Sequence, residues 1–279
     1  MRFVRYGGRG GERPGIWRDG RIVDILDHFP GTPDLGSLFF TEGWKKALEA
    51  IDDPGVEMDV RLGSPVAKPE KIICLGKNYL EHANEGGMSA PEAPLLFCKT
   101  PNAVNGPYDP VVLPKSSGQV DWEVELAVVI RSTCKRVAPE EALDVIAGFM
   151  VMNDVSGREA QFGDKQWFRG KSFDTFAPMG PVLVTPDEIA DVGNLKLEAL
   201  VNGEVMQSGN TRDLIHDIPR IIAHVSADIT LSPGDVISTG TPAGVGIFRN
   251  PPVTLADGDV VECRIEGIGS LKNTIVATT

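Results

Sequence analysis

Apolar residues in this chain come in short runs of four to eight, cut by glycine, proline and Asx-Gly pairs. That pattern predicts strands more than helices. The candidate strands are Lys71–Gly76, Pro94–Cys98, Val111–Leu113, Glu123–Ile130, Phe149–Met152, Thr175–Val184, Leu195–Val201, Val236–Thr239 and Val260–Ile265. Turns are expected at Asn202-Gly203, Pro233-Gly234-Asp235 and Asp257-Gly258-Asp259. Two helices are expected. One spans Pro139 to Ala147, with proline in its first turn and Gly148 past its end; the other spans Ile218 to Val225, with Pro219 early. Residues 1 to 68 read as a small α/β unit. It holds a hairpin over Ile16–Ile25 turning at Asp19-Gly20 and a short helix from Gly43 to Ile51. The Pro/Gly-punctuated stretch Leu62–Pro69 is the expected linker, so residues 69–279 form the second domain. Many strands and few helices predict a rolled or sandwiched, mixed β-rich (α+β) architecture, not a doubly wound sheet.

Composition narrows the function classes only a little. With 39 acidic residues against 27 Lys/Arg the net charge is −12, and no basic stripe marks a nucleic-acid surface. The Met-Arg-Phe-Val-Arg-Tyr opening lacks the apolar core of a signal peptide, and no run is long enough to span a membrane. Cys74, Cys98, Cys134 and Cys263 are scattered without metal-finger spacing, as expected of reduced thiols in a cytoplasmic protein.

The chemistry concentrates in a few segments. Glu123 and Glu125 stand at i and i+2 of a strand candidate and so share a face, at the entrance of a run that otherwise reads as core. Asp154 ends a second apolar run, Ala147-Gly-Phe-Met-Val-Met-Asn-Asp. Three acids delivered from buried strands repel one another unless a cation lies between them, and hard oxygen ligands suit magnesium or manganese, with calcium as a substitute. A solvent-facing edge strand is the bland alternative, and the apolar neighbours on both faces argue against it.

His82 and Glu85 are i,i+3 if Tyr79–Glu85 makes a helical turn, which lets the carboxylate orient an imidazole base; an exposed ion pair is the competing account. The Glu85-Gly-Gly87 stretch beyond has the flexibility of a lid. Arg158 and Gln161, again i,i+3, can present donors to a carboxylate or oxyanion. Lys171, just before apolar Phe173 and Phe176, is a pocket candidate, whereas Lys165 and Arg169 read as surface charge. The Ser238-Thr-Gly-Thr-Pro-Ala-Gly-Val-Gly246 loop, with Thr241 inside it, can bind an anion through backbone N–H groups, but it lacks the ending of a nucleotide loop. His216 and His224 are expected to be structural, and His28 exposed.

Taken in order, these motifs resemble the fumarylacetoacetate hydrolase family. They are Gly76-Lys-Asn-Tyr79-x-x-His82-x-x-Glu85, Glu123-x-Glu125, Asn153-Asp-Val-Ser156, Arg158-x-x-Gln161, Gly170-Lys171-Ser-Phe-Asp-Thr-Phe-x-Pro-x-Gly180 and Thr239-Gly-Thr-Pro-Ala-Gly-Val-Gly246. The resemblance runs from about Lys71 to the C-terminus. The Arg5-Tyr6-Gly-x-x-Gly-x-Glu12-x-Pro14-Gly15 opening is similar to a bacterial branch that includes sugar-acid 2,4-diketo-3-deoxy hydrolases. The resemblance implies a C-terminal β-roll, a homodimer and a magnesium or manganese ion on Glu123, Glu125 and Asp154. By the same likeness His82 and Glu85 are a water-activating dyad, Lys171 the active-site lysine, and Arg158, Gln161 and Thr241 substrate-side positions. The expected reaction is hydrolysis of the C3–C4 bond of a 2,4-dioxo acid, giving a pyruvate-type acid and a second carboxylic acid. Oxaloacetate decarboxylation, or isomerisation of an unsaturated 2-hydroxy dioic acid, is the alternative at the same metal-enolate site.

Overall fold

The computed structural model describes residues 1–41, 45–87 and 89–278, with the side chains of residues 45 and 46 left aside. Strands dominate, and each expected strand is present within a few residues of its expected ends. The main sheet runs in the order 56–57, 21–24, 13–18, 2–6, 177–184, 146–153, 124–130, 236–238, 72–76, 95–99. A second sheet, ordered 204–210, 196–201, 260–265, 269–276, 111–112, packs against its central strands.

The central strand Val124–Ile130 explains why the sheet closes as it does. All seven of its residues are buried, which requires cover on both faces and a partner on each edge. Its partners are Ile146–Asn153 and Val236–Ser238, both antiparallel. The registers place Val124 opposite Asn153 and Ala127 opposite Ser238. A slip of one residue would turn Glu125 to the other face. The fixed register therefore brings Glu123 beside Asp154 and Glu125 beside the loop that follows Ser238.

The N-terminal hairpin turns at Asp19-Gly20 with positive φ at both residues (47° and 86°), the mirror-image turn this dipeptide favours. Its neighbour Arg2–Tyr6 pairs antiparallel with Ala177–Val184, so the N-terminal strands continue the main sheet. Within the expected linker, Leu62-Gly63 forms a short strand against Arg5 and Tyr6. Beside it Arg61 grips Asp109 through two bonds of 2.8 and 2.6 Å and also reaches Glu12 at 2.8 Å. Of the expected Gly43–Ile51 helix, residues 45–49 are helical, while positions 43 and 44 lie outside the described residues.

Three features depart from the sequence reading. The Pro139 segment is a 3₁₀ helix ending at Val145, and Gly148 is no helix stop; it lies inside the strand Ile146–Asn153. The reason is tertiary. A Cβ at Gly148 would come within 2.6 Å of the Val184 carbonyl oxygen and 2.9 Å of the Leu183 side chain, so glycine permits close approach of two strands. The strands Glu204–Asn210 and Gly269–Val276 also went unread. The second does alternate, with Leu271, Asn273 and Ile275 inward and Lys272 and Thr274 outward. Its polar inward Asn273 masks the signal; that side chain holds the carbonyls of Gly106 and Asp109.

Replacing Gly148 by Ala is expected to lower the free energy of unfolding by about 1–3 kcal/mol, the usual cost of overpacking. A urea titration checks this, and an unchanged midpoint would refute the close-approach account.

Candidate active site

The site grows from the ends of the central strands. Asp154 N–H donates to the Glu123 carbonyl at 2.9 Å, and Glu123 N–H donates to Asn153 Oδ1 at 3.0 Å. These bonds lock the two strand ends together. One oxygen from each of Glu123, Glu125 and Asp154 falls within 4.8 Å of the others, and all three residues are buried. The donor set is three hard carboxylates, of which Glu123 and Glu125 line a cavity, and it fits a divalent cation.

Cations of the chain already neutralise two of the three acids. Lys171 Nζ lies 2.6 Å from Glu123 and 2.7 Å from Asp154. Lys99 Nζ lies 2.5 Å from the other Asp154 oxygen. Arg158 bonds Glu123 at 2.6 Å, Asp121 at 2.7 Å and Gln161 at 3.0 Å. Burial would raise the Glu123 carboxyl, but the charges of Lys171 and Arg158 override it and hold Glu123 well below the ordinary carboxylate value. Burial likewise would lower the Lys171 ammonium, and Asp154 and Glu123 reverse that. Lys99 is pushed down, by burial first and by Lys171 as a like charge, with Asp154 opposing.

Glu125 differs. It has no cation partner among the described residues; it accepts only from the Ser238 hydroxyl at 2.6 Å and Gly240 N–H at 2.8 Å. Burial, and then the charges of Asp154 and Glu123, push its carboxyl well above the ordinary value.

His82 and Glu85 lie on the short helix Leu80–Glu85, as their spacing predicted. Glu85 Oε1 meets His82 Nδ1 at 2.7 Å, and Glu85 Oε2 accepts from Gly244 N–H at 2.9 Å. The helix is thus pinned to the glycine loop, and the imidazole's free nitrogen is Nε2. Arg158 and Gln161 share the helix Arg158–Gly163. Thr241 lines the cavity, but its hydroxyl donates to the Val124 carbonyl at 2.9 Å and accepts from Gln207 at 2.8 Å. Its hydroxyl proton is therefore committed to the fold. The cavity between these groups has a volume of about 220 Å³, and its remaining wall includes Leu75, Phe97, Phe162, Trp167 and Phe248. Gly76 matters here because a Cβ on it would strike the Trp167 ring at 2.5 Å.

Several expectations about other residues can be placed as well. Arg169 pairs with Asp164 at the surface, Asp174 accepts from Asn102, and His28 sits exposed beside Asp53. His216 is buried and His224 exposed, and neither lines the cavity. The four cysteines are free. Sequence reasoning missed Lys99, Asp121, Gln207 and Asn78. Lys99 carried one usable signal, a lysine ending the apolar run Leu-Leu-Phe-Cys-Lys.

Residues 71–276 match the family model described as the fumarylacetoacetate hydrolase C-terminal domain. This chain belongs to the fumarylacetoacetate hydrolase family. Oxaloacetate tautomerase FAHD2A of Homo sapiens, named as mitochondrial, is 50% identical over 265 residues, covering 92% of this chain and 84% of that protein. Among solved structures, maleylpyruvate hydrolase from Sphingobium sp. SYK-6 superposes with a TM-score of 0.83 at 34% identity, over 100% of both chains. The 2-hydroxyhepta-2,4-diene-1,7-dioate isomerase from Mycobacterium marinum gives 0.77 at 35% identity, over 100% of this chain and 99% of that one. The family member described here is an enzyme with the family's sheet-rich fold. No helix among the described residues is long and apolar enough to cross a membrane.

Cation and protons compete for the carboxylates of the triad, and burial raises Glu125, so the affinity for a cation rises with pH. Magnesium or manganese is expected to raise the melting temperature of chelator-treated wild type by several degrees, more at pH 8 than at pH 6. Glu125→Gln should abolish the shift. A metal-induced shift that persists in this variant would exclude Glu125 as a ligand.

Proposed function

We propose that this enzyme interconverts the keto and enol forms of a small 2-oxo dicarboxylic acid of the oxaloacetate type. The observation that carries the reading is His82, its Nδ1 held by Glu85, lining one cavity together with Glu123, Glu125 and Lys171. The tautomerase named among the relatives at 50% identity and the dienedioate isomerase among the structures support it over the expected hydrolysis. In this reading Glu123, Glu125 and Asp154 hold magnesium or manganese, which when bound supplies Lewis-acid stabilisation of negative charge on the 2-oxo and carboxylate oxygens.

The chain's own residues supply the rest. Glu85 fixes the His82 ring by holding Nδ1, which leaves Nε2 as the base. Nε2 takes a proton from C3, and the C–H electron pair becomes the C2=C3 bond. Lys171 keeps its charge, because Asp154 and Glu123 raise its pKa, and it faces the developing negative charge on the C2 oxygen. His82 then returns the proton to that oxygen, so the cycle consumes nothing. Arg158, whose guanidinium is engaged by three partners, holds Glu123 and Gln161 in place and leaves the Gln161 amide as a donor to substrate.

C3–C4 hydrolysis is the second reading, favoured by the same dyad and by the maleylpyruvate hydrolase among the structural neighbours. It needs His82 to deprotonate water instead of carbon. We further infer that residues 1–68 are an addition to a catalytic unit, supported by the start of the family match at residue 71. A homodimer is supported by the free edge of Leu95–Lys99, where Leu95 and Phe168 are exposed around a groove.

Ultraviolet absorbance of the oxaloacetate enol, followed with magnesium or manganese present, tests the main reading. Wild type is expected to speed the interconversion without net loss of oxaloacetate, and His82→Ala to reduce the rate by about 10²- to 10⁴-fold. Wild-type rates in the variant would sink the role of His82. Stoichiometric pyruvate and acetate from acetylpyruvate, with no acceleration of enol exchange, would transfer the assignment to the hydrolase, and carbon dioxide from oxaloacetate to a decarboxylase.

A further inference from the structure

Lys77 stands apart among the charges around the cavity. Arg158 is engaged by Asp121, Glu123 and Gln161, and Lys171 by Glu123 and Asp154. Lys77 lines the same cavity and has no hydrogen bond or ion pair among the described residues. It is half-buried, and the cavity wall also carries the apolar Leu75, Phe97, Trp167 and Phe248. A cation kept without a partner in such a wall is a vacancy for an anion.

The backbone holds Lys77 there at a cost. Its φ is +58°, a conformation that residues with a side chain seldom adopt. The next residue, Asn78, fixes it: its amide donates to the carbonyls of Thr239 at 2.8 Å and His216 at 3.0 Å and accepts from His216 N–H at 2.9 Å. Strain that the surroundings overdetermine in this way is found at ligand clamps.

We propose that Lys77 receives the second carboxylate of the substrate, and so selects dicarboxylic over monocarboxylic 2-oxo acids. This rests on the reading of the cavity as a 2-oxo acid site. In this proposal the acid triad and Lys171 take the 2-oxo acid end and Lys77 takes the other carboxylate, since a tail without charge would leave its ammonium unpaired. A cavity of about 220 Å³ suits a short diacid.

Calorimetric titration with malate and with lactate, magnesium present, tests the assignment in wild type, K77M and K77R. The two ligands share a 2-hydroxy carboxylate end, and malate alone has the second carboxylate. Wild type is expected to bind malate about 10- to 100-fold more tightly than lactate, the range of a charge-assisted hydrogen bond. The margin should collapse in K77M and return in K77R. Equal binding of both acids by wild type, or a K77M that keeps the margin, overturns the role of Lys77 and leaves the 2-oxo acid reading standing. Binding of neither acid by wild type overturns that reading and the proposal together.

Discussion

Burial of four carboxylates in one place is the constraint around which this molecule is organised. Asp121, Glu123, Glu125 and Asp154 are all almost fully sequestered from water. Two like charges 4 Å apart repel by about 4 kcal/mol even at an effective dielectric of 20. Lys99, Arg158 and Lys171, equally buried, answer three of the four acids through direct ion pairs. Glu125 is left without one. The protein therefore builds a charge deficit at a chosen carboxylate instead of spreading it, and that carboxylate faces the cavity. The cation proposed for the triad would bring the positive charge that Glu125 lacks.

The strands make this deficit rigid. Val124–Ile130 cannot slide, because its two edges are paired and its two faces covered. Side-chain bonds repeat the lock at the site itself. Gln207 accepts from Val124 N–H and donates to Thr241 and Pro242, while the hydroxyls of Thr239 and Thr241 hold the carbonyls of Leu126 and Val124. These bonds fix the strand ends that carry Glu123 and Glu125.

How much of this was readable depended on sequence distance. Glu123-x-Glu125 is a period-two signal at the start of one strand, and His82 with Glu85 is one turn of helix; both were legible because the geometry is local. Other partners at the site come from far along the chain. Lys99 precedes Asp154 by 55 residues, and Gln207 follows Val124 by 83. Only the sheet order brings them together, and no spacing encodes it. Gly148 failed for a related reason. Glycine after a proline-led segment reads as a helix stop, yet its purpose is the approach of another strand, Ala177–Val184. The placement of Arg2–Tyr6 against that same strand was equally invisible, since an apolar edge does not name its partner.

The glycine loop shows how a correct local reading acquires a different meaning in three dimensions. Its sequence predicts backbone N–H groups presented to an anion, and the loop does bind anions, but they belong to the protein. Gly240 N–H holds Glu125, the acid without a cation, and Gly244 N–H holds Glu85, the acid that steers His82. The conformations are ones glycine permits, with φ of +100° and +105°, and a Cβ at Gly244 would lie 2.2 Å from the Met206 carbonyl oxygen. One loop thus sets both the acid face and the base of the cavity. The supports of Glu85 and Glu125 are thereby joined through the five residues Gly240 to Gly244.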